Sequence, residues 1–190
     1  ILDQESVSFN ICAPNKTLTP VVLGNFSAPA KVNNELSTSS LLTIFKYGRD
    51  AFNRWDAMQS IYNRCISELE SSPSTAIDED LWAGMREAIA REQDNVELLG
   101  ECLVIPSFET LCQSRTAVNV KTLSAARKAF CSQFAQNLES SLLDVLNSIE
   151  SAPYAYNQTA VNQRRCKNVV LAHLARLPQH ENLVIKQFEQ

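Results

Sequence analysis

Two histidines are the residues best suited to metal or acid–base chemistry in this chain, His173 and His180. His180 opens the run HENLV at residues 180–184, which begins like the His-Glu-x-x-His zinc signature. In that signature two histidines one helical turn apart bind the metal, and the glutamate activates water. Val184 stands at the second ligand position and has no donor atom. We therefore predict an exposed helix N-terminus here and no zinc.

His173 falls in an apolar stripe at helical spacing, and the nearest thiol in that stripe is Cys166. Seven residues separate the two side chains, which is about two helical turns. A single Cys–His pair supplies too few ligands for zinc. Neither histidine sits beside a nucleophile elbow, so no Ser-His-Asp set can be assembled. We predict that His173 is a hydrogen-bonded core residue, and we assign no catalytic, cofactor-binding or metal residue in this chain.

Composition narrows the class of protein further. The chain has 190 residues, a formal net charge of −4 and a pI near 5.3, which does not fit a nucleic-acid partner. The densest basic cluster, Arg164, Arg165 and Lys167, is predicted to be a solvated helix face. No apolar run approaches the ~18–20 residues that would span a bilayer, so no membrane partner is expected. The N-terminal residues lack the basic and apolar regions of a signal peptide.

The cysteine pattern favours free thiols. The six cysteines are Cys12, Cys65, Cys102, Cys112, Cys131 and Cys166. None forms a Cys-x-x-Cys pair, and a chain of this length and apolar content does not need disulfide staples. Sequons at Asn15, Asn25 and Asn157 are about as frequent as chance allows. The compartment stays open, with the cytosol favoured.

The first 34 residues differ in pattern from the rest. Residues 7–11 alternate with period two, residues 20–24 form a β-branched run between turn formers, and residues 30–33 offer a third short strand. Two or three strands are only marginally stable alone. This segment is therefore expected to pack on something else.

From Ser37 onward the apolar spacing is that of helices. We expect Ser39 or Ser40 to cap the first helix, Asp50 the second, and Asp94 and Asn95 to begin a capping box. One stripe continues through residues 120–149, which predicts a single helix of about 45 Å. Further helices are expected over residues 159–177 and from His180. About seven helices with short loops describe either a bundle or an α-solenoid, and periodicity does not choose between them.

Several segments together carry a family resemblance. They are residues 25–31 (NFSAPAK), 50–60 (DAFNRWDAMQS), 164–168 (RRCKN), Leu171, Leu174 and 186–188 (KQF). Their order and spacing resemble the junction between a small β-domain and the C-terminal helical domain in the alanyl aminopeptidases, the aminopeptidase N family of zinc peptidases. Residues 83–87 (AGMRE) only superficially resemble that family's Gly-Ala-Met-Glu-Asn exopeptidase motif, because the order differs and the segment is helical.

The resemblance implies a mainly α fold, a superhelix of antiparallel helices with a short N-terminal β-remnant. On this view residues 1–34 end a small β-sandwich domain, and residues 35–190 are the first half of the helical domain. The family's zinc and exopeptidase motifs lie upstream, so the chain is expected to be a non-catalytic piece of a zinc enzyme that removes N-terminal residues from peptides. Its partner would be the upstream catalytic domain, and its helices would wall the active site.

Three further expectations follow from this interpretation. The chain alone should bind no catalytic zinc and cleave no peptide. Trp55 should be a core anchor near Phe26 and Pro29. The chain should self-associate through its N-terminal strands or through the apolar residues of its last helix. The competing hypothesis is an independent α-helical repeat module that binds a partner protein.

Overall fold

The computed structural model describes residues 6, 8, 10–12, 18–27, 32, 35–149 and 153–189. In this part of the chain the regular structure is helical, and it contains no β-strand. The α-helices are α1 (Thr38–Tyr47), α2 (Ala51–Ser71), α3 (Glu79–Arg91), α4 (Val96–Cys102), α5 (Phe108–Gln113), α6 (Val120–Asn137), α7 (Glu139–Ser148), α8 (Gln158–Leu174) and α9 (Glu181–Phe188). Short 3-10 helices cover Gly24–Phe26 and Pro178–His180. The predicted mainly α class is confirmed. No helix within the described ranges is long and apolar enough to cross a membrane.

The helices begin where polar caps meet exposed backbone N–H groups. Asp50 caps α2 by accepting a hydrogen bond from the Asn53 N–H at 3.3 Å, as predicted. Asn95 caps α4, but the predicted capping box fails because Glu97 lies in the second helical position rather than the third. The cap of α1 is Ser37, whose backbone is extended, so Ser39 and Ser40 fall inside the first turn.

The predicted single helix over residues 120–149 is wrong, because the stripe is divided into α6 and α7 at Leu138. Two side chains satisfy backbone carbonyls at this break. Arg86 Nη1 donates to the Asn137 carbonyl at 3.2 Å, and Asn137 Nδ2 donates to the Gln133 carbonyl at 2.8 Å. The chain can therefore leave α-helical geometry at Leu138 while its side chain stays buried.

An aromatic cluster fills the core where α2, α3, α6 and α8 contribute side chains. Trp82 stacks on Phe130 with ring centroids 6.2 Å apart, and Tyr62 meets Phe134 edge-on at 5.7 Å. The Tyr62 hydroxyl donates to the Cys102 carbonyl at 2.8 Å. That bond satisfies the one polar group of Tyr62 and connects α2 to the end of α4. We call Tyr62, Trp82, Phe130 and Phe134 the aromatic core.

The N-terminal segment forms no strand in the residues described. The run 20–24, predicted as a strand, is irregular and leads into the 3-10 helix, and Leu23 has a left-handed φ of 56°. A lone strand leaves its backbone groups unpaired, and no partner strand exists in the described segments. That strand prediction is wrong. The strands expected at 7–11 and 30–33 fall largely outside the described residues, and the division at residue 34 stays a prediction.

Candidate functional site

A groove with an aromatic floor opens between the first turns of α2 and the length of α4. It encloses about 600 Å³. Its lining residues are Ala51, Phe52, Trp55, Asn95, Glu97, Leu98 and Glu101. The Phe52 and Trp55 rings lie in contact, with centroids 5.5 Å apart and planes inclined by 35°. We call this surface the aromatic groove.

The aromatic groove is acidic at its rim. No lysine or arginine is among its lining residues. Arg165 pairs with Glu101 through two contacts, at 2.5 and 2.7 Å, whereas Glu97 is exposed and has no ion-pair partner in the described part of the chain. The helix N-termini nearby each contribute roughly half a positive charge. Asp50 does not line the groove but caps α2 directly before the lining residue Ala51. With Glu97 on the groove, the two carboxylates exceed the charge of the helix N-termini, so this rim is net negative.

Arg54 lies between these aromatic residues in sequence but points elsewhere. Helical spacing predicts that Arg54 lies outside the core, where it can pair or cap; it does pair, but only 11% of its side chain is exposed. Its Nε donates to the Phe45 carbonyl at 2.7 Å, and its Nη2 lies 2.7 Å from Glu92 Oε1, a largely buried ion contact without hydrogen-bond alignment. The guanidinium also lies 5.6 Å from the centre of the Phe45 ring. Arg54 thus joins α1 and α2 to the end of α3.

Trp55 does not have the position that the sequence predicted. It is half-buried and faces α4, so it supports the core from outside rather than anchoring it. Phe52 is the residue that also faces the N-terminal segment, across a cavity of about 320 Å³ that Val21 and Val22 help to line. Asp56 lines the same cavity, where burial raises the pKa of its carboxyl. Pro29 and the Phe26 side chain fall outside the described residues.

His180 is less exposed than predicted. It ends the second 3-10 helix, and its Nε2 lies 2.7 Å from Glu139 Oε1 at the start of α7. The Gln179 amide donates to the same carboxylate oxygen at 3.0 Å. These two hydrogen bonds lower the pKa of the Glu139 carboxyl. His180 therefore fastens the start of α9 to α7, and Val184 is half-buried one turn further on.

His173 is a core residue, as predicted. Its ring packs on Phe134 at 4.7 Å, and Nε2 donates to the Leu103 carbonyl at 2.8 Å, which fixes the neutral tautomer with the proton on Nε2. Nδ1 is buried and has no hydrogen-bond partner in the described structure. Burial lowers the pKa of His173 below its ordinary value near 6.5, and Arg176 and Arg127 add to that shift. Cys166 lies two turns away at the crossing of α8 over Gly100.

The residues of the basic cluster lie on α8, and its two arginines contact groups outside that helix. Arg164 donates to the Ala155 carbonyl at 3.0 Å and lies over the Tyr154 ring at 4.8 Å, and Arg165 pairs with Glu101 as described above. Lys167 is half-buried. Arg164 and Arg165 are therefore engaged with their own protein, while 55% of the Arg165 side chain stays exposed on the predicted solvated face.

All six thiols are free, and four of them are buried: Cys65, Cys102, Cys131 and Cys166. Burial raises the pKa of Cys65 and of Cys102 to about 12. At neutral pH these groups are thiols rather than nucleophilic thiolates. No group of three or more potential metal ligands occurs in the part of the chain that the structure describes.

The segment 83–87 lies within α3, as the sequence predicted. Met85 faces the core and is fully buried, while Ala83 and Glu87 are exposed. Arg86 pairs with Glu79 of the same helix. The segment is therefore part of an ordinary amphipathic helix, with Met85 on its buried face and Ala83 and Glu87 on its exposed face.

Sequence reasoning missed the α4 side of the aromatic groove. Glu97, Leu98 and Glu101 belong to a helix that was predicted, but nothing in the one-dimensional pattern says that α4 lies beside Trp55. The available signals were the aromatic pair Phe52 and Trp55 and, elsewhere in the chain, a predicted helix that carries two glutamates.

The helical region of this chain is similar to known proteins. A family model described as a domain of unknown function (DUF3458_C), ARM repeats, matches residues 38–190. The chain is 26% identical to aminopeptidase N of Haemophilus influenzae over 173 residues, covering 89% of this chain and 20% of that protein. It is 25% identical to aminopeptidase N of Escherichia coli over 177 residues, covering 90% and 20%.

A solved structure shares the fold. The crystal structure of Legionella pneumophila aminopeptidase A in complex with aspartic acid matches with a TM-score of 0.75 at 20% identity. The match covers 88% of this chain and 21% of that one. The predicted α-superhelix is thereby confirmed as the fold of the helical region. The chain spans about a fifth of the length of the curated relatives it matches.

Proposed function

The chain belongs to the DUF3458_C family of ARM repeats, and from that premise we propose that it is a non-catalytic helical part of a zinc-dependent aminopeptidase. The observation that carries this proposal is the alignment of nearly the whole chain with one fifth of two proteins named aminopeptidase N. In the proposed enzyme, zinc and the groups that grip the substrate's free amine belong to an upstream domain. The 190-residue chain would contribute helical scaffold.

The structural role in the proposal is a wall beside the active site. A wall must hold its shape, and the packing of α2, α3, α6 and α8 around the aromatic core supplies a rigid body. Arg54 and the Tyr62 hydroxyl add polar ties between neighbouring helices. Such a wall would admit peptides and exclude folded proteins.

The catalytic half of the proposal is tested with the full-length protein and the 190-residue chain side by side. We expect the full-length protein to hydrolyse an alanyl chromogenic amide and to lose that activity to a chelator. The 190-residue chain should neither hydrolyse the amide nor retain zinc after dialysis. Stoichiometric zinc or chelator-sensitive turnover in the chain alone would contradict the assignment, and so would an inactive full-length protein.

The access role needs a separate measurement on the full-length protein. Its rate on a short peptide is compared with its rate on a small folded protein that begins with the same residues. A wall predicts rapid cleavage of the peptide and almost none of the folded protein. Similar rates on the two substrates would remove the wall from the proposal while leaving the aminopeptidase assignment intact.

A further inference from the structure

We infer that the aromatic groove is a docking site for a partner polypeptide that presents an arginine beside an apolar side chain. This inference does not depend on the proposed peptidase activity, because it rests on the groove's own aromatic floor and charge. The partner is defined by its chemistry, a guanidinium next to an aliphatic residue.

The cationic half of this recognition comes from Trp55 and Glu97. Three arginines elsewhere in the described structure lie over aromatic rings, namely Arg54 on Phe45, Arg91 on Tyr47 and Arg164 on Tyr154. Within the same described residues, no cation lies over Trp55, although indole is the strongest cation–π acceptor among the side chains. Glu97 is exposed on the same groove without an ion-pair partner there.

Arginine suits this pair better than lysine. Its guanidinium is planar, so one face stacks on the indole while its edge donates two hydrogen bonds to a carboxylate. Lysine offers a more strongly hydrated point charge that does not stack in this way. Glu101, which also lines the groove, already holds Arg165 in a bidentate pair on the rim and shows that the groove's carboxylates accept guanidinium groups.

The apolar half follows from the size of the groove. About 600 Å³ is more than one guanidinium occupies, and the remaining wall is apolar at Phe52, Leu98 and Ala51 and polar only at Asn95. A neighbouring aliphatic side chain of the partner fits that wall. A partly exposed aromatic anchor with a polar rim is the usual composition of an interaction hot spot.

An NMR titration of the 190-residue chain tests this directly, because the chain has two tryptophans and so two indole N–H resonances. The probe is acetyl-Arg-Leu-amide, and its neutral counterpart carries citrulline in place of arginine. We expect the arginine peptide to shift the Trp55 resonance with saturation, to leave the buried Trp82 resonance in place, and to bind at least several-fold more tightly than the citrulline peptide.

Two variants and one matched control make the expectation specific. Glu97→Gln should weaken arginine-peptide binding roughly fivefold, the size of one exposed ion pair, and should not affect the citrulline peptide. Glu109→Gln is the matched control, because Glu109 also lies in the first turn of a short helix but away from the groove. Trp55→Leu keeps an apolar residue and should abolish binding while circular dichroism stays unchanged.

Four results would overturn the inference. They are an unmoved Trp55 resonance at millimolar peptide, equal binding of the citrulline peptide, and equal effects of Glu97→Gln and Glu109→Gln. The fourth is a Trp55 resonance that shifts with protein concentration alone, which would assign the groove to a second copy of this chain.

Discussion

The two tryptophans lie in neighbouring parts of one helical body and have opposite surroundings. Trp82 is 2% exposed and stacks within the aromatic core, while Trp55 lies half-open on the groove between α2 and α4. The Trp82 ring contacts Phe130 and Phe134, whereas the groove that Trp55 lines includes two glutamates. The comparison separates a residue that specifies the fold from one that shapes a surface, although both belong to amphipathic helices.

The largest effect is expected from Trp82→Ala. Removing a fully buried indole leaves a cavity between α3 and α6, and such substitutions cost about 3–5 kcal/mol. That is a large share of a typical free energy of unfolding of about 5–15 kcal/mol. Denaturant unfolding followed by circular dichroism measures the loss. A midpoint equal to that of the wild type would show that the aromatic core does not carry the stability of the helical body.

Tyr62→Phe tests the one polar contact inside that core. The ring stays in place, but the Cys102 carbonyl loses its donor, which costs about 1–3 kcal/mol for a buried group. Tyr156→Phe is the control, because Tyr156 is 88% exposed and its change should leave the unfolding midpoint unmoved. Equal midpoints for the two variants would contradict the tie between α2 and α4.

Trp55→Ala should have a smaller effect than Trp82→Ala. A half-buried side chain loses only part of its contact on truncation, so we expect a cost of about 1–2 kcal/mol. The same denaturant series measures it beside Trp82→Ala. A loss as large as that of Trp82→Ala would restore Trp55 as the core anchor that the sequence predicted and would weaken the docking interpretation.

Trp55 and Trp82 also show how much of the structure can be predicted from the sequence. Apolar spacing after Asp50 predicted α2 and placed Trp55 on its apolar face, but it could not say how deeply that face is buried, and it made no statement about Trp82. That depth depends on which helix covers the face, and α4 leaves the Trp55 face partly open. The resemblance to the aminopeptidase N family was readable from short segments and is confirmed, because it depends on order and spacing rather than on packing.

Two other differences from the predictions have the same physical reason, namely contacts between residues distant in sequence. The break at Leu138 depends on Arg86, which is distant in sequence and donates to the Asn137 carbonyl. The inward position of Arg54 depends on Glu92 at the end of another helix. Local pattern reports the face that a residue occupies, while long-range polar partners decide where a helix stops and which charged residue is buried.

His173 packs on Phe134 and therefore belongs to the buried surroundings of Trp82 rather than to the aromatic groove. We expect this buried histidine to make the stability of the core depend on pH. Its pKa in the folded protein lies below the ordinary value near 6.5, chiefly because burial disfavours the charged ring. As the pH falls below about 6.5, the unfolded chain binds a proton that the folded chain does not, so the free energy of unfolding decreases. One proton changes it by at most about 1.4 kcal/mol per pH unit, and nothing is lost above pH 7.

Urea unfolding at pH 7.5, 6.0 and 5.0 measures this loss in the wild type, in His173→Gln and in His180→Gln. Glutamine at 173 keeps a donor for the Leu103 carbonyl and removes the titrating ring, so its stability should fall less steeply than that of the wild type. His180→Gln removes the half-buried imidazole that contacts Glu139 and leaves the His173 contribution in place. If His173→Gln and the wild type lose stability in parallel between pH 7.5 and 5.0, protonation of His173 does not limit the acid stability of the core.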